Sequence, residues 1–82
     1  MNRYLEKKIK KYVAATFDKP TLYLKKTPAK PEYCFVEDIE LATKTLSKSL
    51  MEQIISYYYS DTKLDTTLVA VPIEVTYEII EE

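Results

Sequence analysis

The C-terminal third of the chain carries the pattern that most restricts the fold. In the segment TTLVAVPIEVTYEII, apolar residues recur at every second position for six steps, at Val69, Val71, Ile73, Val75, Tyr77 and Ile79. A period of two is the period of a β-strand, so a long strand is predicted here. Its first part is apolar on both faces, whereas Glu74 and Glu78 leave its second part half-exposed. Pro72 has no N–H for a ladder, which indicates a bulge, a break or an edge position.

Residues 2–14 predict a helix at the other end of the chain, with Asn2 as its N-cap. The apolar stripe at helical spacing consists of Leu5, Ile9, Tyr12 and Val13. The opposite, basic side carries Arg3, Lys7, Lys10 and Lys11. The segment YVAATF (12–17) fits either the end of this helix or a short strand.

The middle of the chain predicts two strands and a second helix. Strands are expected at 21–24 and 33–41, joined by a polar loop with two prolines, as in a hairpin or meander. Residues 43–59 predict a helix, with Thr43, Thr45 or Ser47 as its cap. Its apolar stripe comprises Leu46, Leu50, Met51, Ile54, Ile55 and Tyr58. A strand over 53–59 is the alternative, because aromatic runs favour sheet.

These elements predict one α+β domain spanning residues 1–82, in the order α-β-β-α-β. Two helices are expected on one face of a three- or four-stranded antiparallel or mixed sheet. So few strands do not close into a barrel, so an unpaired edge remains. In a domain this small, a second copy of the chain often covers such an edge, so a homodimer is expected.

The composition excludes several kinds of chemistry. The chain has no glycine, which excludes glycine-rich phosphate loops, and no histidine, which excludes Ser-His-Asp and Cys-His catalysis. With Cys34 as the one cysteine, neither an internal disulfide nor a structural zinc site is expected within one chain. Asp38 and Glu40 are two residues apart, so on a strand they would lie on one face and could bind one Mg²⁺ or Ca²⁺ ion. A solvated strand end is the favoured interpretation. A non-enzymatic protein without metal or cofactor is therefore expected.

The location is expected to be cytoplasmic. No apolar run approaches the ~20 residues of a membrane span. The N-terminus lacks the apolar core of a signal peptide. The single cysteine suits a reducing compartment.

The charge is divided unevenly along the chain. Residues 1–30 hold nine basic and two acidic residues, a net of +7, whereas residues 31–82 hold three basic and eleven acidic residues, a net of −8. Three interpretations remain open: mutual neutralisation within the fold, charge-guided assembly, and nucleic-acid binding. The nucleic-acid surface would comprise Arg3, Lys7, Lys10, Lys11, Lys25 and Lys26. The single arginine and the net charge of −1 weaken that alternative.

The segment SYYYSD (56–61) holds three of the eight tyrosines. Tyrosine is enriched in interfaces because it combines a large contact area with a polar tip. The predicted contact surface combines Tyr57 and Tyr59 with an exposed sheet edge near Pro72. The sequence therefore predicts a small binding or assembly protein, with a second copy or another protein as partner. The size and composition would suit a viral or mobile-element accessory protein.

Overall fold

The computed structural model describes residues 5–79 and shows one four-stranded antiparallel sheet with a single α-helix against it. The elements are β1 (Leu5–Thr16), β2 (Tyr23–Lys26), β3 (Tyr33–Val36), a 3-10 turn (Ile39–Leu41), α1 (Lys48–Thr62) and β4 (Leu68–Ile79). The strand order is β3-β2-β1-β4, so β3 and β4 form the two edges. The molecule is elongated, with extents of 55, 24 and 23 Å.

The predicted N-terminal helix is wrong, and with it the arrangement of two helices on the sheet. The segment forms β1, which pairs with β4 without a break from Leu5↔Ile79 to Thr16↔Leu68. Ile9 and Val13 are four residues apart, a spacing that keeps two side chains on one side of a helix and also on one face of a strand. The long β4 decides between the two periods, because it places Val75 opposite Ile9 and Val71 opposite Val13.

The middle elements lie close to their predicted places. The strand expected at 21–24 forms as β2 (Tyr23–Lys26), and the strand expected at 33–41 is shorter and ends at Val36. Helix α1 begins after Ser47, whose hydroxyl accepts from the Leu50 N–H at 3.2 Å. It continues to Thr62, so residues 53–59 are helical and the alternative strand there is wrong.

Alternation along β1 and β4 gives the sheet two unlike faces. Even-numbered residues point towards α1, and we call this side the helix face. Odd-numbered residues point away from α1, and we call this side the open face. The core lies on the helix face at the inner end of β1 and β4. Its buried members are Ala14, Leu24, Met51, Ile55, Tyr58 and Leu68.

Tyr58 occupies the centre of that core and is 1% exposed. Its ring meets the rings of Tyr33, Phe35 and Tyr59 edge-on, at centroid distances of 5.5, 5.8 and 5.6 Å. Such edge-to-face pairs are the favoured geometry between aromatic rings, so the tyrosine run contributes directly to the core.

Candidate interaction surface

The outer halves of β1 and β4, residues 5–11 and 73–79, extend beyond the core as a two-stranded ribbon. Within the described residues, β1 pairs with β2 only at Ala15↔Tyr23 and with the loop before α1 only at Tyr12↔Thr45. Packing against the core on the helix face likewise extends outwards only as far as Tyr12. A lone two-stranded ribbon is marginal in water, so this outer ribbon has the most to gain from a partner.

The open face carries an apolar stripe along β1 and β4 that α1 does not cover. Val13 and Ala15 are nearly fully buried, while their cross-strand neighbours and the outer positions are half-buried. The half-buried members are Ile9, Val69, Val71, Ile73 and Val75. At the inner end the exposed Phe17 ring (74%) borders a shallow hollow of about 300 Å³. The stripe therefore extends beyond the ribbon towards the centre of the sheet.

A second, larger hollow of about 600 Å³ lies on the open face of the outer ribbon. Ile39 and Lys44, from the 3-10 turn and the loop after it, form one wall. Ile73, Val75 and Tyr77 of β4 form the other. The lining combines these apolar residues with the charged Lys11, Glu40 and Lys44, and such a mixture of apolar and polar groups is found in protein contact surfaces.

Charge is distributed differently on the two faces of the outer ribbon. On the open face, the described residues of β1 and β4 contribute Lys7 and Lys11 and no carboxylate. The Lys11 Nζ donates to the Tyr77 hydroxyl at 3.1 Å and lies 5.6 Å from the centre of its ring. The β1 and β4 residues of the open face are therefore apolar and basic, and Glu40 of the 3-10 turn places a carboxylate beside them.

On the helix face of the ribbon, basic and acidic residues meet within the chain. Lys8 Nζ lies 3.9 Å from a carboxylate oxygen of Glu74, and Lys10 is the direct cross-strand neighbour of Glu74. Both members of the Lys8–Glu74 pair are more than half exposed, so the pair contributes at most about 1 kcal/mol. Part of the basic N-terminal segment (residues 1–30) is thus neutralised by the acidic remainder of the same chain.

The free edge of β4 is closed near the core and open farther out. Tyr12 exchanges both backbone hydrogen bonds with Thr45, at 2.8 and 3.0 Å, so its backbone groups point away from β4. Its partner Pro72 consequently directs its backbone outwards, where the missing N–H interrupts no ladder bond. The backbone N–H of Leu68 also points outwards, and it donates to the Tyr59 hydroxyl at 2.8 Å. Pro72 thus occupies an edge position in an unbroken register.

The predicted interface residues lie in three different environments. Tyr57 is 49% exposed on α1, and its hydroxyl accepts from Gln53 Nε2 at 3.1 Å. Tyr59 is half-buried beside β4, where its hydroxyl holds the Leu68 N–H. Residues two apart on a helix do not face each other, so the structure does not bring the two rings onto one surface. Pro72 is exposed on the β4 edge.

The predicted nucleic-acid residues are also divided. Arg3 lies outside the described residues. Lys7 and Lys11 are on the open face of the outer ribbon and Lys10 on its helix face. Lys25 and Lys26 lie on β2, which is adjacent to β1 only near its inner end.

The remaining polar candidates have local structural partners. Asp38 caps the 3-10 turn by accepting from the Glu40 N–H at 2.9 Å. Cys34 is half-buried in β3. The Tyr33 hydroxyl donates to Asp61 Oδ2 at 2.8 Å. Its burial, followed by that hydrogen bond and the charges of Asp61 and Glu32, raises the pKa of Tyr33 from 10.0 to about 12.

Within residues 5–79, no three metal-ligating side chains gather into a potential site. No described helix combines the length and apolar character needed to cross a membrane. Comparison with known proteins finds no matching family model, no significantly similar curated protein and no significantly similar solved structure. Function is therefore inferred from the surface itself.

The apolar open face is the candidate that sequence reasoning missed. The sequence predicts the strand β4 from its alternation, but it also predicts a half-exposed outer half of that strand and a helix in place of β1. The missing signal was the pairing of the two segments, which places Ile9, Ile73 and Val75 side by side.

Proposed function

We propose that this chain is a non-enzymatic assembly protein that self-associates through the open face of β1 and β4. The observation that supports the proposal is the apolar stripe on that face, most of whose members stay only half-buried and which α1 does not cover. A sheet normally buries its apolar face against another layer; in the described chain α1 covers the helix face, whereas the open face has only the short segment around Ile39 and Lys44 beside it.

A second copy fits this face in size. Twelve-residue strands are about 40 Å long, and two to three strands are about 10–15 Å wide, so each copy would bury at most about 400–600 Å². The total of about 800–1,200 Å² falls at the low end of specific interfaces. A concentration-dependent dimer is expected rather than a permanent one.

A second copy also fits in charge. With a two-fold axis parallel to the strands, β1 of one copy lies over β4 of the other. Lys7 then faces the Tyr77 ring of the second copy, and lysines do not stack on lysines. Lysine side chains at the border keep their ammonium groups in water while their alkyl stems cover apolar surface.

The test compares the molecular mass in solution of two variants. Each variant adds one carboxylate, and the two carboxylates lie on opposite faces of the sheet. Val75→Glu puts a charge in the stripe and should abolish the dimer at concentrations where the wild type forms it. Thr76→Glu puts the same charge at the neighbouring residue, on the helix face of the sheet, and should leave the dimer intact. The milder Val75→Thr, which keeps the β-branched shape, should weaken it. Equal masses for the two glutamate variants would contradict the proposal.

Nucleic-acid binding is a second candidate, because Lys7 and Lys11 lie on a face whose described β1 and β4 residues include no carboxylate. A two-stranded ribbon has the dimensions to enter a major groove. Binding through lysines alone would be independent of sequence and would weaken steeply with salt. A filter-binding titration at two salt concentrations decides: no retention of DNA or RNA even at low salt rules this function out.

A further inference from the structure

The edge of β4 next to the core, from Leu68 to Pro72, presents backbone groups of known direction. Because Pro72 lies opposite Tyr12, whose backbone groups point away from β4, the even-numbered residues of β4 direct their N–H and C=O groups away from β1. Pro72 has no N–H, and the Leu68 N–H is already donated to the Tyr59 hydroxyl. Within this stretch the edge therefore offers a carbonyl acceptor at every outward position but a free backbone donor only at Ala70.

A hollow of about 430 Å³ lies beside this stretch, between α1 and β4. Its apolar lining includes the buried Ile55 and Leu68 and the half-buried Ala70. The Ala70 side chain points to the helix face, and residues directly opposite each other on adjacent strands point to the same face. A side chain from an added strand, placed opposite Ala70, would therefore enter this hollow.

The border of the hollow carries charges of both signs. Lys48 and Glu52, one turn apart on α1, line it together with Ser56. Within the described residues neither Lys48 nor Glu52 has an ion-pair partner. Opposite charges this close together favour neither an acidic nor a basic occupant. The occupant that complements the hollow is an uncharged, apolar side chain.

We propose that this groove binds an extended peptide segment of a partner protein, which adds to β4 as a further strand with a large apolar side chain opposite Ala70. In this mode of binding, main-chain hydrogen bonds provide affinity and a side-chain pocket provides selectivity. In an antiparallel arrangement the residue opposite Ala70 exchanges both backbone hydrogen bonds with it. The residue two positions earlier in the peptide donates its N–H to the Pro72 carbonyl. The Tyr59 hydroxyl keeps its own proton and donates it to the peptide beside Leu68.

The position of Ala70 fixes the register of the added strand. The nearest residues with the same direction, Leu68 and Pro72, have no free N–H, so a complete exchange of hydrogen bonds within this stretch occurs at Ala70 alone. A side chain opposite the same residue faces the hollow. The groove lies on the edge and the helix face of the sheet, so this inference goes beyond the open-face contact proposed above and does not depend on it.

The first test uses a blocked, fluorescently labelled heptapeptide with a central leucine and threonine at its other positions, and its anisotropy measures binding. We expect saturable binding that changes little between about 50 and 500 mM salt, because no charge pair holds the peptide. Replacing the central leucine by alanine should weaken binding at least about tenfold. No saturable binding, or equal affinity of the leucine and alanine peptides, overturns the proposal.

Methylation of single amides in the heptapeptide tests strand addition directly. A methyl group on the nitrogen of the central residue, or of the residue two positions before it, removes a donor that faces β4 and should abolish binding. A methyl group on the nitrogen of the residue between them points away from β4 and should be tolerated. Equal effects at all three positions would show that the leucine is held without strand pairing and would contradict the proposal.

Two serine variants on α1 locate the site. Ser56→Phe fills the hollow, whereas Ser60→Phe places the same ring at an exposed position one turn later, outside the hollow. The helical circular dichroism of α1 reports that both variants are folded. Ser56→Phe should lose peptide binding and Ser60→Phe should keep it.

Equal affinities of the two phenylalanine variants for the heptapeptide overturn the proposal. Loss of self-association in Ser56→Phe but not in Ser60→Phe also overturns it, because a second copy would then occupy the groove. Val75→Glu should bind the heptapeptide as the wild type does, since its side chain lies on the open face. Failure of the open-face contact and failure of the peptide groove are therefore distinguishable.

Discussion

The hydroxyl of Tyr58 allows a prediction whose sign is opposite to that of most core substitutions. The oxygen is buried and has no hydrogen-bond partner among the described residues. A buried polar group without a partner costs about 1–3 kcal/mol of desolvation. Tyr58→Phe removes that oxygen but keeps the ring and its three edge-on contacts with Tyr33, Phe35 and Tyr59.

The expected gain can be worked out from the structure. Removing the hydroxyl oxygen also removes its packing contacts, which lowers the free energy of unfolding by a few tenths of a kcal/mol and offsets part of the gain. The free energy of unfolding of Tyr58→Phe should therefore rise by about 1 kcal/mol. For a domain of this size, that raises Tm by about 4–8 °C.

Two neighbouring tyrosines provide matched controls for the same substitution. Tyr59→Phe removes the acceptor of the Leu68 N–H and should lower stability by about 1 kcal/mol. Tyr33→Phe removes a hydrogen bond to Asp61 at the surface and should lower stability by about 0.5–1 kcal/mol. Urea unfolding followed by circular dichroism measures all three, with an unchanged m-value as evidence of an unchanged fold. A Tyr58→Phe variant less stable than the wild type would show that the hydroxyl has a partner and would refute the reasoning.

Two further predictions concern pH and the end of the helix. Because the pKa of Tyr33 is raised to about 12 in the folded state, its stabilising effect is complete below its ordinary value of 10.0 and is lost as the pH rises towards 12. Unfolding free energy should therefore fall more steeply over this interval in the wild type than in Tyr33→Phe, and equal slopes would contradict the assignment. Lys63 ends α1 in the left-handed region, with φ 61°. Lys63→Gly should raise the unfolding free energy by about 0.5–1 kcal/mol, whereas Lys63→Ala, which keeps the Cβ, should not; equal thermal midpoints for the two variants would show that the backbone carries no strain there.

The elements that local pattern predicted well are those whose pattern fits only one period. The six-step alternation of β4 fits no helix, and the helix after Ser47 has an apolar stripe that fits no strand. The N-terminal segment fits both, since Ile9 and Val13 stay on one side under either period. Its lysines are solvated in either form and do not discriminate. Pairing with a strand more than fifty residues away decided the outcome, and no local window contains that information.

The candidate surface could not be predicted from the sequence for the same reason. The tyrosine run predicts an interface because three large rings in a row are hard to bury in a small chain. Tyr58 in fact fills the core centre and Tyr59 holds the base of β4, which leaves Tyr57 as the exposed ring of the three. The open face exists only once β1 and β4 lie side by side.

The pairing of β1 with β4 also constrains the order of folding. Thr16 and Leu68 are 52 residues apart in the chain, and Leu5 and Ile79 are 74 apart. Closing the shorter loop first costs less entropy, and each later pair then adds only a small increment. The β1–β4 pairs should therefore form first near the core and then progressively outwards, after β2, β3 and α1 have formed their more local contacts. On a ribosome, β1 would have to wait for almost the whole described chain, with its lysines keeping the unpaired strand in water until β4 arrives.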